Sequence, residues 1–245
     1  MKNRAFCFNT LANMDDRRYH RVSAFQSAYQ NVELSGSVPC LRSEEHPESM
    51  TEHQWDNLLR IKTSGRDDSH SDQYRYPYEP TPYAVLERLA QSGYLSKKNS
   101  LIDYGCGKGR VSFYLSWQVR CRCVGIEYDE RIFKAAEKNR ESAVTGSKVE
   151  LIHTKAEQFT VPETADRMYF FNPFSVEIMQ SVMGRIRASW YENPREILLF
   201  FYYPSDEYVG WLMTVDELMF ADEIDCRDLF AGENGRERIL VFEMS

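Results

Sequence analysis

The amino-acid sequence predicts an α/β fold with a mostly parallel, seven-stranded sheet, helices on both faces and a C-terminal antiparallel hairpin. From about residue 81 onward, short apolar segments alternate with longer segments of helical periodicity. The apolar segments are continuous runs, which is typical of parallel strands that helices cover on both sides. Near the end, Asn234-Gly235 separates two apolar segments, and this dipeptide is a strong signal for a hairpin.

The segment before this alternation, residues 1–75, is polar and contains clusters of Ser, Gly, Pro and charged residues. We expect it to form an N-terminal extension or cap that is partly flexible. Apolar residues at helical spacing predict helices within it over Asp15–Val32 and Gln54–Ile61. The folded domain is then predicted to span residues 76–245, so a chain that starts near Ser71 is expected to fold.

The first helix of the domain is predicted to begin at Pro82, which suits a first helical turn, and to end at Gly93. In chain order, the later strands are predicted over Ser100–Tyr104, Cys121–Glu127, Lys148–His153, Arg167–Asn172, Glu196–Tyr203, Ile224–Phe230 and Arg238–Glu243. The later helices are predicted over Arg110–Gln118, Asp129–Ala143, Val176–Ser189 and Glu207–Met219.

The protein carries a net charge of −7, and 42% of its 245 residues are hydrophobic. This charge argues against a protein that coats nucleic acid without sequence preference. No apolar run is long enough for a signal peptide or a membrane span, so we expect a cytoplasmic protein without a membrane partner. The six cysteines do not form the paired C-x-x-C spacing of a zinc site, so we expect reduced thiols and no metal.

A glycine-rich loop follows the first strand of the domain. The strand ends at Asp103, and Gly105, Gly107 and Gly109 then alternate with other residues before a helix begins. Alternating glycines let the backbone turn sharply and approach a ligand closely. The dinucleotide-binding fingerprint is G-x-G-x-x-G, whereas here the third glycine comes one position early, before Arg110. The loop instead resembles the first motif of class I S-adenosylmethionine (SAM)-dependent methyltransferases, D/E-x-G-x-G-x-G.

This resemblance covers roughly residues 78–245 and implies a Rossmann-like class I methyltransferase fold with SAM as the cofactor. It implies that the loop from Gly105 to Gly109, which includes Cys106, passes under the methionine part of SAM, and that Asp103 positions the ammonium group. A carboxylate is favoured near a ligand that carries an ammonium and a sulfonium. The start of the helix after Gly109 supplies free N–H donors for the carboxylate of SAM.

Three further positions are candidates for the nucleoside part of SAM. Glu127 ends the second strand, about 20 residues past the loop, where an acidic residue accepts from both ribose hydroxyls, and Tyr128 follows it. Members of the family often carry Asp after the third strand, where this chain has Lys155. Glu157, beside Ala156, is a candidate acceptor for the adenine amino group, although a helix-cap or surface role is an equal alternative.

A segment rich in aromatic residues and proline, residues 74–83, precedes the domain. Its Thr81-Pro82 pair resembles the T-P element of some amino-methyltransferases, which borders the methionine end of SAM. Thr81 is therefore a candidate cofactor contact. Pocket lining and plain packing remain equal interpretations of this segment.

Asn172-Pro173-Phe174 follows an apolar strand and is similar to the D/N/S-P-P-Y/F/W motif of methyltransferases that act on amino groups. The resemblance implies that the Asn172 amide oxygen and the Pro173 carbonyl accept hydrogen bonds from the target amine, and that Phe174 stacks on a planar acceptor. The chain has one proline where the motif has two, so an ordinary strand-end turn is the alternative.

These observations together predict a SAM-dependent methyltransferase that acts on an amino nitrogen of a nucleobase or a protein side chain. The methyl acceptor is left open among nucleic acid, protein and small molecule. Two alternatives are an NAD(P)-dependent Rossmann oxidoreductase and a non-catalytic SAM-binding module.

Overall fold

The computed structural model describes residues 50–68, 73–232 and 234–244, and a seven-stranded sheet lies at its centre. The strands are β1 (Ser100–Tyr104), β2 (Arg122–Glu127), β3 (Val149–His153), β4 (Arg167–Phe171), β5 (Ile197–Tyr202), β6 (Leu218–Asp225) and β7 (Arg238–Met244). The helices are α1 (Glu52–Leu59), α2 (Tyr83–Gln91), α3 (Arg110–Gln118), α4 (Glu130–Ser142), α5 (Val176–Glu192) and α6 (Asp206–Leu212). Short 3-10 turns occupy Gly146–Lys148, Ala156–Gln158 and Arg227–Leu229.

The strand order is β3-β2-β1-β4-β5-β7-β6, and all neighbours are parallel except the two pairs that involve β7. The predicted α/β fold with its C-terminal antiparallel pair is therefore confirmed. The chain leaves β1 in one direction toward β2 and later returns on its other side as β4. The carboxyl ends of these strands flank the switch point where open α/β sheets bind ligands.

Two hydrophobic clusters cover the faces of the sheet. Successive strand side chains point to opposite faces, so Leu101 of β1 belongs to one cluster and Ile102 to the other. Phe113 of α3 packs with Leu101, whereas Met179 of α5 packs with Ile102. Because helices cover both faces, the strands are the continuous apolar runs from which the sheet was predicted.

The N-terminal boundary of the domain differs from the predicted one. α1 begins at Glu52 because Thr51 caps it with a complete capping box, and its Trp55 and Leu59 join the same cluster as Phe113 of α3. The compact unit that holds the sheet accordingly begins at Ser49 rather than at residue 76. The helix predicted over Asp15–Val32 lies outside the described residues.

The first strand of the C-terminal antiparallel pair lies earlier in the chain than predicted, whereas the second begins at Arg238 as predicted. α6 ends at Leu212, and β6 then covers part of the segment for which helix Glu207–Met219 and strand Ile224–Phe230 were expected. Residues Leu218–Asp225 form a strand because they pair with β7, and these contacts between distant parts of the chain override the local helical pattern. The Asn234-Gly235 dipeptide lies inside the long connection between β6 and β7.

Candidate active site

The glycine loop lies between the ends of β1 and β2. The backbone N–H groups of Gly105 and Cys106 donate to the carbonyl of Ile126, at 3.0 and 2.9 Å, so the loop folds back over β2. Gly107 has a φ of +56° and lies directly under Tyr78. A Cβ atom on Gly105 would come within 2.7 Å of the Pro173 ring. The loop therefore touches both the preceding aromatic segment and the predicted acceptor motif, which leaves room only for glycine.

Asp103 is the most perturbed carboxyl group of the cavity. It is 2% exposed, and its Oδ2 accepts a hydrogen bond from the Ser112 hydroxyl at 3.0 Å. Burial, together with the nearby charge of Glu127, raises its pKa to about 7. A cation bound beside Asp103 would favour its ionised form, so this position suits the ammonium group of SAM.

Glu127 lies at the carboxyl end of β2 and is also buried. It accepts three backbone N–H bonds, from Gly107 at 3.0 Å and from Tyr128 and Asp129 at 2.9 Å. Burial raises its pKa, and these three bonds oppose the rise. Glu127 therefore links the glycine loop to the start of α4 and lines the cavity.

Cys106 takes part in the glycine loop through its backbone, while its thiol packs away from the loop against Gly125. A Cβ atom on Gly125 would come within 2.8 Å of the Cys106 Sγ, so the thiol packs on β2. Burial and the charges of Asp103 and Glu127 raise its thiol pKa well above the ordinary value. Burial therefore favours the protonated thiol, which packs against β2.

The aromatic segment crosses the cavity as a strap, by which we mean residues 73–81. Tyr78 pairs with Asp67, and its hydroxyl donates to the Thr63 carbonyl at 2.5 Å. At the other end, the Tyr76 N–H donates to the Pro173 carbonyl at 3.2 Å. The sequence indicated that aromatic residues lie here but gave no signal for these backbone pairings.

Thr81 ends the strap inside a buried polar network. Its hydroxyl lies 3.0 Å from the Tyr169 hydroxyl, and its carbonyl accepts from Arg110 at 3.2 Å. The buried guanidinium of Arg110 also pairs with Glu52 and lies 3.7 Å from Asp56. This network joins α1 and the strap to the start of α3, and it was not foreseen from the sequence.

The predicted adenine end of the cavity is lined by Tyr128, Ala156 and Glu157. Arg75 of the strap binds Glu157 Oε1 at 2.8 Å, and its guanidinium carbon lies 4.8 Å from the centre of the Tyr128 ring. The second carboxylate oxygen, Glu157 Oε2, is buried and has no hydrogen-bond partner within the described part of the chain. This arrangement favours a role for Glu157 as an acceptor in the pocket over a helix-cap or surface role.

The acceptor motif lies at the end of β4. Asn172 adopts a left-handed φ of +40°, and its Oδ1 is buried without a partner among residues 50–68, 73–232 and 234–244. Phe174, however, is 4% exposed, and its ring packs edge-on against Phe170 with ring centres 6.4 Å apart. Its carbonyl accepts from the Tyr208 hydroxyl. Phe174 also lines the cavity, and its stacking on a planar acceptor stays a prediction.

The donor set of the cavity fits SAM. Two buried carboxylates, Asp103 and Glu127, suit a cationic ligand with a ribose diol, and the glycine loop leads into the N-terminus of α3.

The cavity encloses about 90 Å³. Small-ligand pockets hold roughly 300–1,000 Å³. Since the Tyr78 ring lies against Gly107, we expect this ring to move aside when SAM binds. Within the described ranges, no group of three His, Cys, Asp or Glu residues is placed to hold a metal ion.

Comparisons with known proteins found relatives of part of the chain. Residues 101–189 match a family model described as a methyltransferase domain. Over 72 residues, the chain is 35% identical to a protein-lysine N-methyltransferase of Saccharolobus islandicus (strain REY15A). This match covers 29% of the chain and 45% of the relative, so the chain spans less than half the length of that curated relative.

Solved structures show the same fold. The Streptococcus pneumoniae protein Sp1610 aligns with a TM-score of 0.50 and 16% identity, over 65% of this chain and 69% of that one. An RNA methyltransferase from Salinibacter ruber in complex with S-adenosyl-L-homocysteine (SAH) aligns with a TM-score of 0.45 and 21% identity, over 68% of this chain and 92% of that one. The likeness to Sp1610 identifies the architecture and carries no statement about the acceptor.

Proposed function

We propose that this chain, which contains a class I SAM-dependent methyltransferase domain, transfers the methyl group to an amino nitrogen held at Asn172. The observation that carries the proposal is the buried Asn172 Oδ1, which lacks a partner among the described residues. Leaving a buried acceptor unsatisfied costs roughly 1–3 kcal/mol. An N–H group of the acceptor would satisfy this oxygen.

The residues of the cavity divide the binding of SAM among them. Asp103 holds the ammonium group, Glu127 accepts from the ribose hydroxyls, and the loop around Gly107 lies along the methionine part. When bound, SAM supplies an electrophilic methyl group on a sulfonium centre. The chain itself then needs to orient the nucleophile along the line of transfer, which is a positioning effect.

Asn172 orients the acceptor by hydrogen bonding rather than by removing a proton. Its Oδ1 accepts one amine N–H, and the Pro173 carbonyl, one lone pair of which is used by Tyr76, keeps a second lone pair for another. A neutral amine held in this way directs its own lone pair at the methyl group. An acceptor that starts as an ammonium, such as lysine, loses one proton to water before transfer, and one that starts neutral loses it afterwards, so no general base is required.

Several features favour a lysine side chain on a protein as the acceptor. The Phe174 ring is 4% exposed and packs on Phe170, which leaves little of its surface for stacking on a nucleobase. Tyr74 and Tyr76 of the strap are 44% and 37% exposed. The carboxylates of Glu177 and Glu207 lie close enough to raise the pKa of Tyr76, after the larger effect of burial. Aromatic rings and carboxylates attract a cationic segment and repel phosphates, and the curated relative is a protein-lysine N-methyltransferase.

The experiment is incubation of the protein with methyl-labelled SAM and a fractionated cell extract. We expect label in the protein fraction, sensitive to protease and recovered as methyl-lysine after hydrolysis. Label that is sensitive to ribonuclease would contradict the lysine acceptor and retain the methyl transfer. SAM binding without label in any fraction would instead support the non-catalytic module.

A cytoplasmic location is also part of the proposal. Its support is the state of Cys106, Cys121, Cys123 and Cys226, which are free and buried. In the part of the chain that the structure describes, no helix combines the length and apolar character needed to cross a membrane.

A further inference from the structure

Arg75 touches both ends of the proposed site. Its side chain reaches the adenine end, where it pairs with Glu157 and lies over Tyr128. Its backbone forms an antiparallel bridge with Phe174, next to the residue proposed to orient the acceptor. We propose that Arg75 is a positioning residue through which occupancy of the adenine end orders the acceptor motif.

At the adenine end, the ion pair leaves half of the carboxylate open to a ligand. Arg75 Nη2 binds Glu157 Oε1 at 2.8 Å, and both side chains are largely shielded, at 17% and 25% exposure. The buried Oε2 has no partner among the described residues and accepts the amino group of a bound adenine. A hydrogen bond from a ligand to Oε2 fixes the Glu157 carboxylate. The planar Arg75 guanidinium, which contacts this carboxylate and the Tyr128 ring, then also loses conformational freedom.

At the acceptor end, the pairing of the strap is short. Two backbone hydrogen bonds flank the bridge: Tyr76 N–H donates to the Pro173 carbonyl at 3.2 Å, and Ser175 N–H donates to the Tyr74 carbonyl at 2.8 Å. An isolated two-residue ladder is marginally stable and opens at low free energy. The stability of this backbone pairing therefore depends on how firmly the Arg75 side chain is held. When Arg75 is fixed, the pairing keeps the chain around Pro173 in place.

This coupling rests on the proposed function in one respect, the assignment of Asn172-Pro173-Phe174 as the acceptor site. It predicts that SAH, which contains the same adenine, closes the ladder without any methyl transfer. It also predicts that the effect passes through the Arg75 side chain rather than through general tightening of the fold. Arg185 offers a matched control, since its Nε donates to the backbone carbonyl of Glu157, at 3.3 Å, rather than to the carboxylate.

The test is amide hydrogen exchange of the full chain, with and without saturating SAH, read at the Tyr76 and Ser175 amides. In the wild type, SAH is expected to slow both amides at least about tenfold, which is a shift of roughly 1.4 kcal/mol in the opening equilibrium. In Arg75→Gln, the slowing should fall below about twofold, and Arg75→Lys should recover part of it. Arg185→Gln should behave as the wild type.

Two results would overturn the inference. The first is equal slowing by SAH in Arg75→Gln and in the wild type, and the second is no slowing in the wild type at saturating SAH. A ladder that stays unprotected in Arg75→Gln with SAH bound supports the inference, because the occupied pocket then fails to order the strap without Arg75. Failure to transfer methyl groups, with the coupling intact, would count against the proposed function alone.

Discussion

The ring of Tyr78 lies against the backbone of Gly107 so closely that a Cβ atom on Gly107 would fall 2.2 Å from two of its carbons. The strap and the glycine loop therefore share one packed contact in the centre of the cavity. Any ligand that lies along the loop must share this space with Tyr78. The contact makes Gly107 sensitive in two ways, because its φ of +56° also disfavours a side chain.

Gly107→Ala should weaken SAH binding by about 10- to 100-fold, the effect of overpacking by roughly 1–3 kcal/mol. The added methyl group pushes Tyr78 and the strap away from the loop and intrudes on the methionine position. Isothermal titration calorimetry with SAH measures the change.

Gly93→Ala is the matched control for this variant. Gly93 has a φ of +90°, yet nothing lies within 4 Å of a Cβ atom built there. The control should lose about 1 kcal/mol of folding stability and keep the wild-type affinity for SAH. Equal losses of affinity in both variants would show that backbone strain, and not the Tyr78 contact, governs binding.

The pKa of Asp103 predicts a pH dependence of cofactor binding. Since its pKa is raised to about 7, the carboxyl group takes up a proton below that pH. The ammonium group of SAH binds the ionised form, so affinity should fall by up to about tenfold per pH unit below 7 and level off above it. The raised pKa of Glu127 adds to the fall in the same direction. Calorimetric titrations between pH 5 and pH 8 test this, and a flat profile would contradict it.

Asp103→Asn separates binding from stability. The folded-state pKa of about 7 lies above the ordinary value of 3.8, so ionisation of Asp103 lowers the free energy of unfolding as pH rises from about 4 to about 7. The neutral variant removes this effect. At pH 8 it should melt at a higher temperature than the ligand-free wild type, yet bind SAH about 10- to 100-fold more weakly. A variant with lower melting temperature would assign Asp103 a structural role.

The start of the folded unit is tested by two truncated chains. A chain that starts at Ser49 keeps α1 and should fold and bind SAH. A chain that starts at Ser71 removes Glu52 and Asp56, the partners of the buried Arg110, together with Trp55 of the core. Loss of the partners alone costs about 3–5 kcal/mol, so this chain should unfold. Thermal unfolding followed by circular dichroism measures whether each chain is folded. Cooperative unfolding of the shorter chain would support the boundary predicted from the sequence.

Local signals in the sequence were sufficient for most of the sheet and for the positions of the glycine loop, Glu127 and Asn172 in it. β1 and α3 have the predicted bounds because the glycine loop between them is a local feature that ends one and begins the other. Glu127 and Asn172 follow apolar strands, and the carboxyl ends of neighbouring parallel strands meet at one edge. The loop and both residues therefore come together without any further information.

The remaining features depend on contacts between distant parts of the chain. β6 is an edge strand with partly exposed side chains, and only its pairing with β7 distinguishes it from a helix. The burial of Phe174 follows from its packing on Phe170, which a motif does not encode. The link from Arg75 to Glu157 joins residues far apart in sequence. Helical spacing predicted a helix over Gln54–Ile61, and the capping box at Thr51 is a further local sign of α1, but neither predicts its packing into the core.

The most direct test of the central claim compares Asn172→Ala with the wild type for both SAM affinity and methyl transfer to the labelled acceptor fraction. Asn193→Ala is the control, since that amide donates to the Glu163 carbonyl outside the cavity. We predict that Asn172→Ala binds SAM within about threefold of the wild type and transfers methyl groups about 10²- to 10³-fold more slowly, the effect of losing one preorganised polar contact. Wild-type transfer by Asn172→Ala would contradict the account and leave Asn172-Pro173-Phe174 as a structural turn.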